Sequence, residues 1–531
     1  MELPLERTRN GTDEIAAADH PEIRLFKVPS HAAYSPTAVV KGQWKICSPQ
    51  TIAEDGGFSA VAYFFAQRIQ ADIHVPVGLV EDCLGGTPAE AWSSAESLRP
   101  LKDFDAALAE MNRLKAKGGP EYGNFIMHWY DDYDIGLKNN WSAADVDDSQ
   151  WKRVTIPGGF AELGVPETPA VCWFRKEITL PDPLPTGKAT LYLGVVERMD
   201  TTYVNGQWVG SSAWVENPRV YHLKDGILKP GKNVITIRVF KTKSNGGLMS
   251  LPEVLRVAIA EKNFPLAGEW KGVLSVDARP PHPLPMGFEN WPVMPSVLYQ
   301  GMLQPVAPLA ISGAIWYQGE ANADRPAQYQ KLLPVMIADW RKLFGQGDFP
   351  FYIVSLPAFM HHQEQPPQSG GWADLRESQA IVARTVKNSG LAVTIDTGDA
   401  DNIHPADKKI VDERLAYCAL AQHYGEKIPF EGPTFKSIEH LPGALKIHFE
   451  HTDGGLVVKG DHLGEFAIAG KDHRWHWADA KIDDDTVIVS SRDVPEPLDV
   501  RYAWQSFPTA TLYNAAGLPA VPFRTDQPAR N

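Results

Sequence analysis

The sequence predicts an α/β protein: a mostly parallel sheet with helices on both faces, interrupted by an all-β sandwich and followed by a second β unit. Three observations carry this. Compact apolar strands alternate with long helical stripes over residues 1–125 and again over about 285–425, the order that a parallel sheet covered by helices requires. Between about 130 and 262 the pattern changes to short alternating strands punctuated by turn signals, which reads as an all-β sandwich. The α/β pattern then resumes, so the sandwich is an insertion. A chain of 531 residues is too long for one core. The expected domains are 1–127 and 266–427 as two parts of one α/β domain, 128–265 as the insertion, and 428–531 as a C-terminal β unit.

In chain order, Phe58 to Ile69 is apolar nearly all round and should be a buried helix. Leu79 to Leu84 is a short strand ending at Gly85-Gly86. In the insertion, Ala189–Leu193, Thr202–Val204 and Val234–Phe240 are strands, with turns at Asn205-Gly206 and Lys229-Pro230-Gly231. Ala310 to Trp316 is another strand. A helix follows, with Tyr329, Leu332, Leu333, Met336, Ile337, Trp340, Leu343 and Phe344 on one stripe; Pro326 suits its first turn and Pro334 should kink it. Phe351–Leu356 and Leu391–Ile395 are strands, and Pro405 to Tyr424 is the closing helix. Strands near Leu445–His451, Gly455–Lys459, Thr486–Ser490 and Val500–Gln505 build the last unit. Gln363 to Gly371 is a low-complexity stretch, expected to be a mobile loop.

A net charge of -14 argues against a nucleic-acid partner, because phosphate binding needs a basic surface. No stretch approaches the roughly 20 apolar residues of a membrane span, and the N-terminus carries no basic-then-apolar signal region. Cys47, Cys83, Cys172 and Cys418 are scattered without zinc or redox spacing, and Cys83 and Cys418, in apolar context, read as buried free thiols. His361-His362 and the pair in His473-Arg474-Trp475-His476 read as solvated histidines. No metal or cofactor is expected. The 16 Trp and 16 Tyr suit a β-rich core or a carbohydrate surface.

Three loops at strand ends of the expected sheet carry chemistry. Asp401 and His404 stand three apart after a strand. An acid so placed accepts the imidazole Nδ1–H and leaves Nε2 as a general base; the alternative is a helix-capping acid beside a surface histidine. Asp399 and Asp396 are other acids in reach of the same histidine. Gln318, in Trp316-Tyr317-Gln318-Gly319-Glu320-Ala321-Asn322, would offer an amide to a developing oxyanion. Gly85-Gly86-Thr87 would bring a backbone N–H close to a substrate oxygen, since glycine permits the approach.

The blocks Gly85-Gly86-Thr87-Pro88-Ala89-Glu90-Ala91-Trp92, Leu298-Tyr299-Gln300-Gly301-Met302, Trp316 to Asn322, Ile403-His404-Pro405 and Gly517 to Asp526 resemble, in order and over nearly the whole chain, the bacterial sialate O-acetylesterases of the SGNH hydrolase superfamily. The insertion also resembles the galactose-binding-like jelly roll of family-two glycoside hydrolases, through Trp173-Phe174-Arg175-Lys176 and Val204-Asn205-Gly206. The resemblance implies a flavodoxin-like SGNH domain, an acetylated carbohydrate substrate, and a periplasmic or extracellular location. It implies His404 as general base, Asp401 or Asp399 as its orienting acid, Gly85, Gly86 and Gln318 as the oxyanion hole, and Glu320 and Asn322 as shaping the substrate pocket.

The family's nucleophile lies in a Gly-Gln-Ser-Asn-Met block at the end of a first strand. Met1-Glu2-Leu3-Pro4 looks like the continuation of that block, with Met1 as its methionine. The expectation is therefore a serine two positions before Met1, a first strand absent from the 531 residues, and a chain inactive or nearly so as it stands. Ser59 opens a helix and Ser48 lies in a loop; neither occupies a sharp strand-to-helix elbow. The competing function is a non-catalytic carbohydrate-binding protein on an esterase scaffold. A glycoside hydrolase would need two carboxylates across a sugar pocket, with Glu320 and Asp401 the candidates.

Overall fold

A computed structural model describes residues 1–526 except 119–121, 166–168, 213–217, 242–246, 280, 283, 285–290 and 369. The chain divides into two compact units, Met1–Asn112 with Glu289–Asn531, and Arg113–Phe288.

The α/β part of the first unit holds two separate three-stranded sheets where one was expected. In one, strand β1 (His20–Lys27) pairs antiparallel with β2 (Lys45–Cys47) and parallel with β3 (Val77–Glu81). Helix α1 (Ala60–Ile73) connects β2 to β3. Its first turn is closed by Ser59, whose Oγ accepts the Ala62 N–H at 3.2 Å, as an N-cap should. In the other sheet, β4 (Ala314–Trp316), β5 (Phe351–Val354) and β6 (Ser389–Ala392) run parallel in that order. The connecting helices are α2 (Pro326–Phe344) and α3 (Trp372–Thr385), and α4 (Lys409–Gln422) follows β6. Helix α2 continues through Pro334. Every residue of β5 is buried, the burial expected of a strand covered on both faces. β1 was not foreseen, because His20, Pro21, Glu22, Arg24 and Lys27 break its apolar run.

The C-terminal β region is not a unit of its own. Val393 and Ile395, just past β6, share one buried cluster with Leu445, Ile447, Phe466 and Val500. Arg376 on α3, 1% exposed, donates to the carbonyls of Leu356, Pro357, Gln505 and Ser506. These contacts fuse the region to the α/β core. The loop from Gln363 to Gly371 is tied down: Trp477 donates to the Glu364 carbonyl, and Arg501 to those of Pro367 and Gln368. Ser369 lies outside the described residues.

The second unit contains an antiparallel six-stranded and a four-stranded sheet that share one core, Val154, Ile156 and Phe174 packing in the same cluster as Leu191, Leu193 and Val257. The expected boundaries at 127/128 and 265/266 move outward. The strand Gly268–Asp277 pairs with Ala170–Leu180 and Lys152–Ile156, inside the sandwich. The helix Tyr122–Tyr133 also falls within this unit. Both shifts come from pairing with residues distant in sequence, which no local pattern encodes.

All four cysteines are free. Among the described residues no helix is long and apolar enough to cross a membrane, and no group of three His, Cys, Asp or Glu side chains could hold a metal ion.

Candidate functional site

A cavity of about 1090 Å³ in the first unit is lined by Gly85, Gly86, Gln318, Glu320 and His404, together with Met1 and Glu2. The three loops singled out in the sequence therefore meet, although their strands belong to two sheets.

Each loop is held by identifiable contacts. Gly86 adopts φ +73°, a left-handed conformation that favours glycine. The Gly85 N–H donates to a Glu2 carboxylate oxygen. That anion shows the N–H presented to a negatively charged acceptor, as an oxyanion would be. Gly319 lets the next loop pass close to α3, since a Cβ there would meet Leu375 Cδ2 at 2.6 Å. Gln379 on α3 donates from Nε2 to the carbonyls of Gln318 (3.0 Å) and Val354 (3.2 Å). His404 sits in a turn: Asp399 Oδ1 accepts the N–H groups of Asp401 and Asn402, and Asn402 Oδ1 accepts that of His404 at 2.9 Å. Such Asx turns are a regular use of these side chains.

Three expected roles change. No aspartate reaches the His404 ring, which has no hydrogen-bond or ion-pair partner among the described residues. Asp401 is 86% exposed at its side chain and faces His361 Nε2 at 3.6 Å. Asp399 is taken up in the turn, and Asp396 binds Arg414 and Tyr513. The cause is local: the helix expected from Pro405 begins only at Lys409, so Asp401 and His404 are not arranged by helix geometry. Gln318 has no free donor, because Nε2 gives its hydrogens to Thr87 O (3.2 Å) and Asn322 Oδ1 (2.7 Å). Its orientation is fixed in turn, since Asn322 Oδ1 also accepts the Ala89 N–H at 3.0 Å while Asn322 Nδ2 donates to Glu90 at 2.9 Å. Asn322 itself is 0% exposed. It braces two loops and does not line the pocket.

The sequence reading missed Lys408. It is 3% exposed, and its Nζ lies 4.9 Å from the centroid of the Tyr317 ring. Burial lowers its pKa to about 8. Burial, and then the Lys408 charge, hold the His404 pKa below the ordinary imidazole value, with Glu320 opposing them. His404 is thereby kept neutral, the form a general base needs. The spacing of Lys408 four residues after His404 was the available signal, obscured by the assumed helix.

The serines lining the cavity are Ser59 and Ser312. Ser59 is fully buried and its Oγ donates to the Met1 carbonyl at 2.7 Å. Ser312 precedes β4, six residues before Gln318, which at strand rise puts it about 20 Å from the His404 end.

Residues 288–416 match the family model described as carbohydrate esterase, sialic acid-specific acetylesterase. The chain is 32% identical to the mouse sialate O-acetylesterase over 262 residues, covering 44% of this chain and 47% of the relative. It is 30% identical to the human one over 269 residues, covering 45% and 50%. The chain thus matches about half the length of these relatives. A solved carbohydrate acetylesterase from Xanthomonas citri superposes with a TM-score of 0.60 at 26% identity, over 99% of this chain and 78% of that one. The family match, over residues 288–416, falls on the part of the chain that carries Gln318, Glu320 and His404, and is to sialic acid-specific carbohydrate acetylesterases.

Proposed function

We propose that this scaffold removes O-acetyl groups from sialic acid or related acetylated sugars by acyl transfer through a seryl ester. The observation that carries the reading is the meeting of His404 with the Gly85-Gly86 backbone in one cavity. A serine hydroxyl gives its proton to the neutral His404 imidazole and attacks the acetyl carbonyl. The Gly86 N–H and, once the Glu2 carboxylate gives it up, the Gly85 N–H receive the oxyanion, a task usually shared between backbone donors. Collapse of the intermediate expels the sugar oxygen, which takes the proton from His404. Water then adds to the seryl acetate with His404 again as base, freeing acetate and the serine. In this reading the α/β region is a flavodoxin-like SGNH domain, Arg113–Phe288 a galactose-binding-like insertion, and the protein works in the periplasm or outside the cell.

Neither Ser59 nor Ser312, the serines lining the cavity, is free beside His404, so the reading requires a further serine there. The test compares acetate release from an O-acetylated sialic acid by these 531 residues and by a version to which a Gly-Gln-Ser-Asn segment has been added before Met1. The extended form should be faster by about a thousandfold, the residual left when a triad loses its nucleophile being small, and His404→Ala should abolish the gain. Equal rates in both forms would defeat the reading. Sugar binding with no acetate from either form would mean a non-catalytic binding protein.

A further inference from the structure

The segment from Leu5 to Gly11 runs alongside the loop that carries His404. Leu5 is buried, and its N–H donates to the Phe58 carbonyl at 3.1 Å. Thr8, also buried, donates from Oγ1 to the Leu5 carbonyl at 2.7 Å. The Arg9 N–H donates to the carbonyl of Ala406, two residues past His404, at 2.9 Å. Arg7 stands between these anchors, at the end of the short 3₁₀ turn Leu5–Arg7. Its backbone is thereby fixed, while its exposed side chain lines the same cavity as His404, Gly85 and Gly86.

The other basic side chains nearby are already engaged. Arg9 faces Asp407 at 3.5 Å, and Lys409 faces Glu14 at 3.3 Å. Lys408 is buried against the Tyr317 ring. Lys27, which also lines the cavity, donates to the carbonyls of Asp55 (3.1 Å) and Gly57 (2.6 Å) and faces Glu81 at 3.8 Å. Of these residues only Arg7 has a charged group without a hydrogen-bond or ion-pair partner among the described residues. The acids of the cavity leave it so. Glu2 accepts the Gly85 N–H, and Glu81 accepts that of Ser59 at 2.9 Å. Burial raises the Asp82 pKa to about 8, so that carboxyl is mostly uncharged at neutral pH. Glu320 favours the charged form of Lys408. Arg7 remains as a free positive charge, close enough to His404 to help lower the imidazole pKa.

A guanidinium presents its N–H donors in a planar fork that matches the two oxygens of a carboxylate. Sialic acids carry a carboxylate; neutral acetylated sugars such as acetylxylose carry only hydroxyls and ring oxygens. We propose that Arg7 determines substrate choice: it binds the carboxylate of an acidic acetylated sugar while the acetyl group lies against His404 and the Gly85-Gly86 backbone. The inference rests on the esterase reading and narrows its substrate to the acidic class. A neutral sugar leaves the guanidinium to water and gains nothing from it.

The experiment measures, by ligand-observed NMR, the binding of an O-acetylated sialic acid and of its carboxyl methyl ester to these 531 residues, at low salt where screening is weak. The two ligands differ in charge and in one methyl group. The acid should bind about fivefold or more tightly than the ester, the lower figure being what a partly screened pair at an exposed rim gives. Arg7→Gln should erase the difference, and Arg7→Lys, which keeps the charge without the fork, should restore part of it. Equal affinity for acid and ester, an acid preference that survives Arg7→Gln, or no measurable binding of the acid would overturn the proposal. The esterase reading fails separately. An acid preference lost in Arg7→Gln, with no acetate released by the form carrying the added serine, would uphold Arg7 as a carboxylate-binding residue and overturn the esterase. Acetate released by that form with the same kcat/KM from acid and ester would do the reverse.

Discussion

Replacing Asn322 by alanine should cost this protein about 4 kcal/mol, and the figure follows from the bonds that would be lost. The Ala89 N–H, Gln318 Nε2 and the Glu90 carboxylate each bond to Asn322 at 3.0, 2.7 and 2.9 Å, in a place fully closed to solvent. A buried donor left without a partner costs about 1–3 kcal/mol, and a lost bond to a charged group about 1.5–3. Gln318 keeps Thr87, and Glu90 keeps Arg325 at 3.0 Å, so the lower part of each range applies and the sum is about 4 kcal/mol. Urea unfolding, extrapolated linearly to water, measures the loss. Asn322→Asp retains the acceptor for Ala89 and Gln318 but sets a second acid against Glu90, and should cost a comparable amount for a different reason. In a double-mutant cycle, Gln318→Ala should cost less on the Asn322→Ala background than alone, because bonded neighbours are not additive. A loss below about 1 kcal/mol for Asn322→Ala, within the scatter of surface substitutions and small cavities, would refute the claim that this residue ties the two loops together.

Lys408→Met should raise the His404 pKa by removing a buried positive charge, measured by NMR titration of the imidazole. Because a general base acts only when unprotonated, the acid limb of the pH–rate profile in the serine-extended form should lie below the ordinary imidazole value and move to higher pH in the variant. A His404 titration unmoved by the substitution would remove Lys408 from the site. Asp401→Asn should leave kcat in the extended form within about twofold, since its carboxylate faces solvent and His361; a loss of about 10⁴, as for an acid that fixes the base's tautomer, would restore it to the triad. Arg376→Met strips donors from four carbonyls at the junction with the C-terminal β region and should cost about 4 kcal/mol or more in urea unfolding. A neutral result there would mean that water replaces the guanidinium.

The strands and helices bearing strong apolar periodicity were legible before any coordinates. The stripe on α2 is buried from Tyr329 to Trp340, while its last two members, Leu343 and Phe344, are only partly buried, and β5 and β6 fall within two or three residues of the runs that announced them. The closing helix was read four residues too early at its start. Pro405 is tolerated in a helix's first turn, so the local pattern did not distinguish a turn from a helix over 405–408. That one ambiguity misplaced the histidine's surroundings and hid Lys408.

What the amino-acid order determined by itself was local: which segments are apolar and with what period, where glycine permits a left-handed turn as at Gly86, and which side chains follow strand ends. What only the tertiary structure decided was who meets whom. Asn322 bonds to Ala89 across 233 positions, and β3 and β4 belong to different sheets that line one cavity. Hydrogen-bond pairing between segments hundreds of residues apart depends on the packing of everything between them, so no window of sequence contains it.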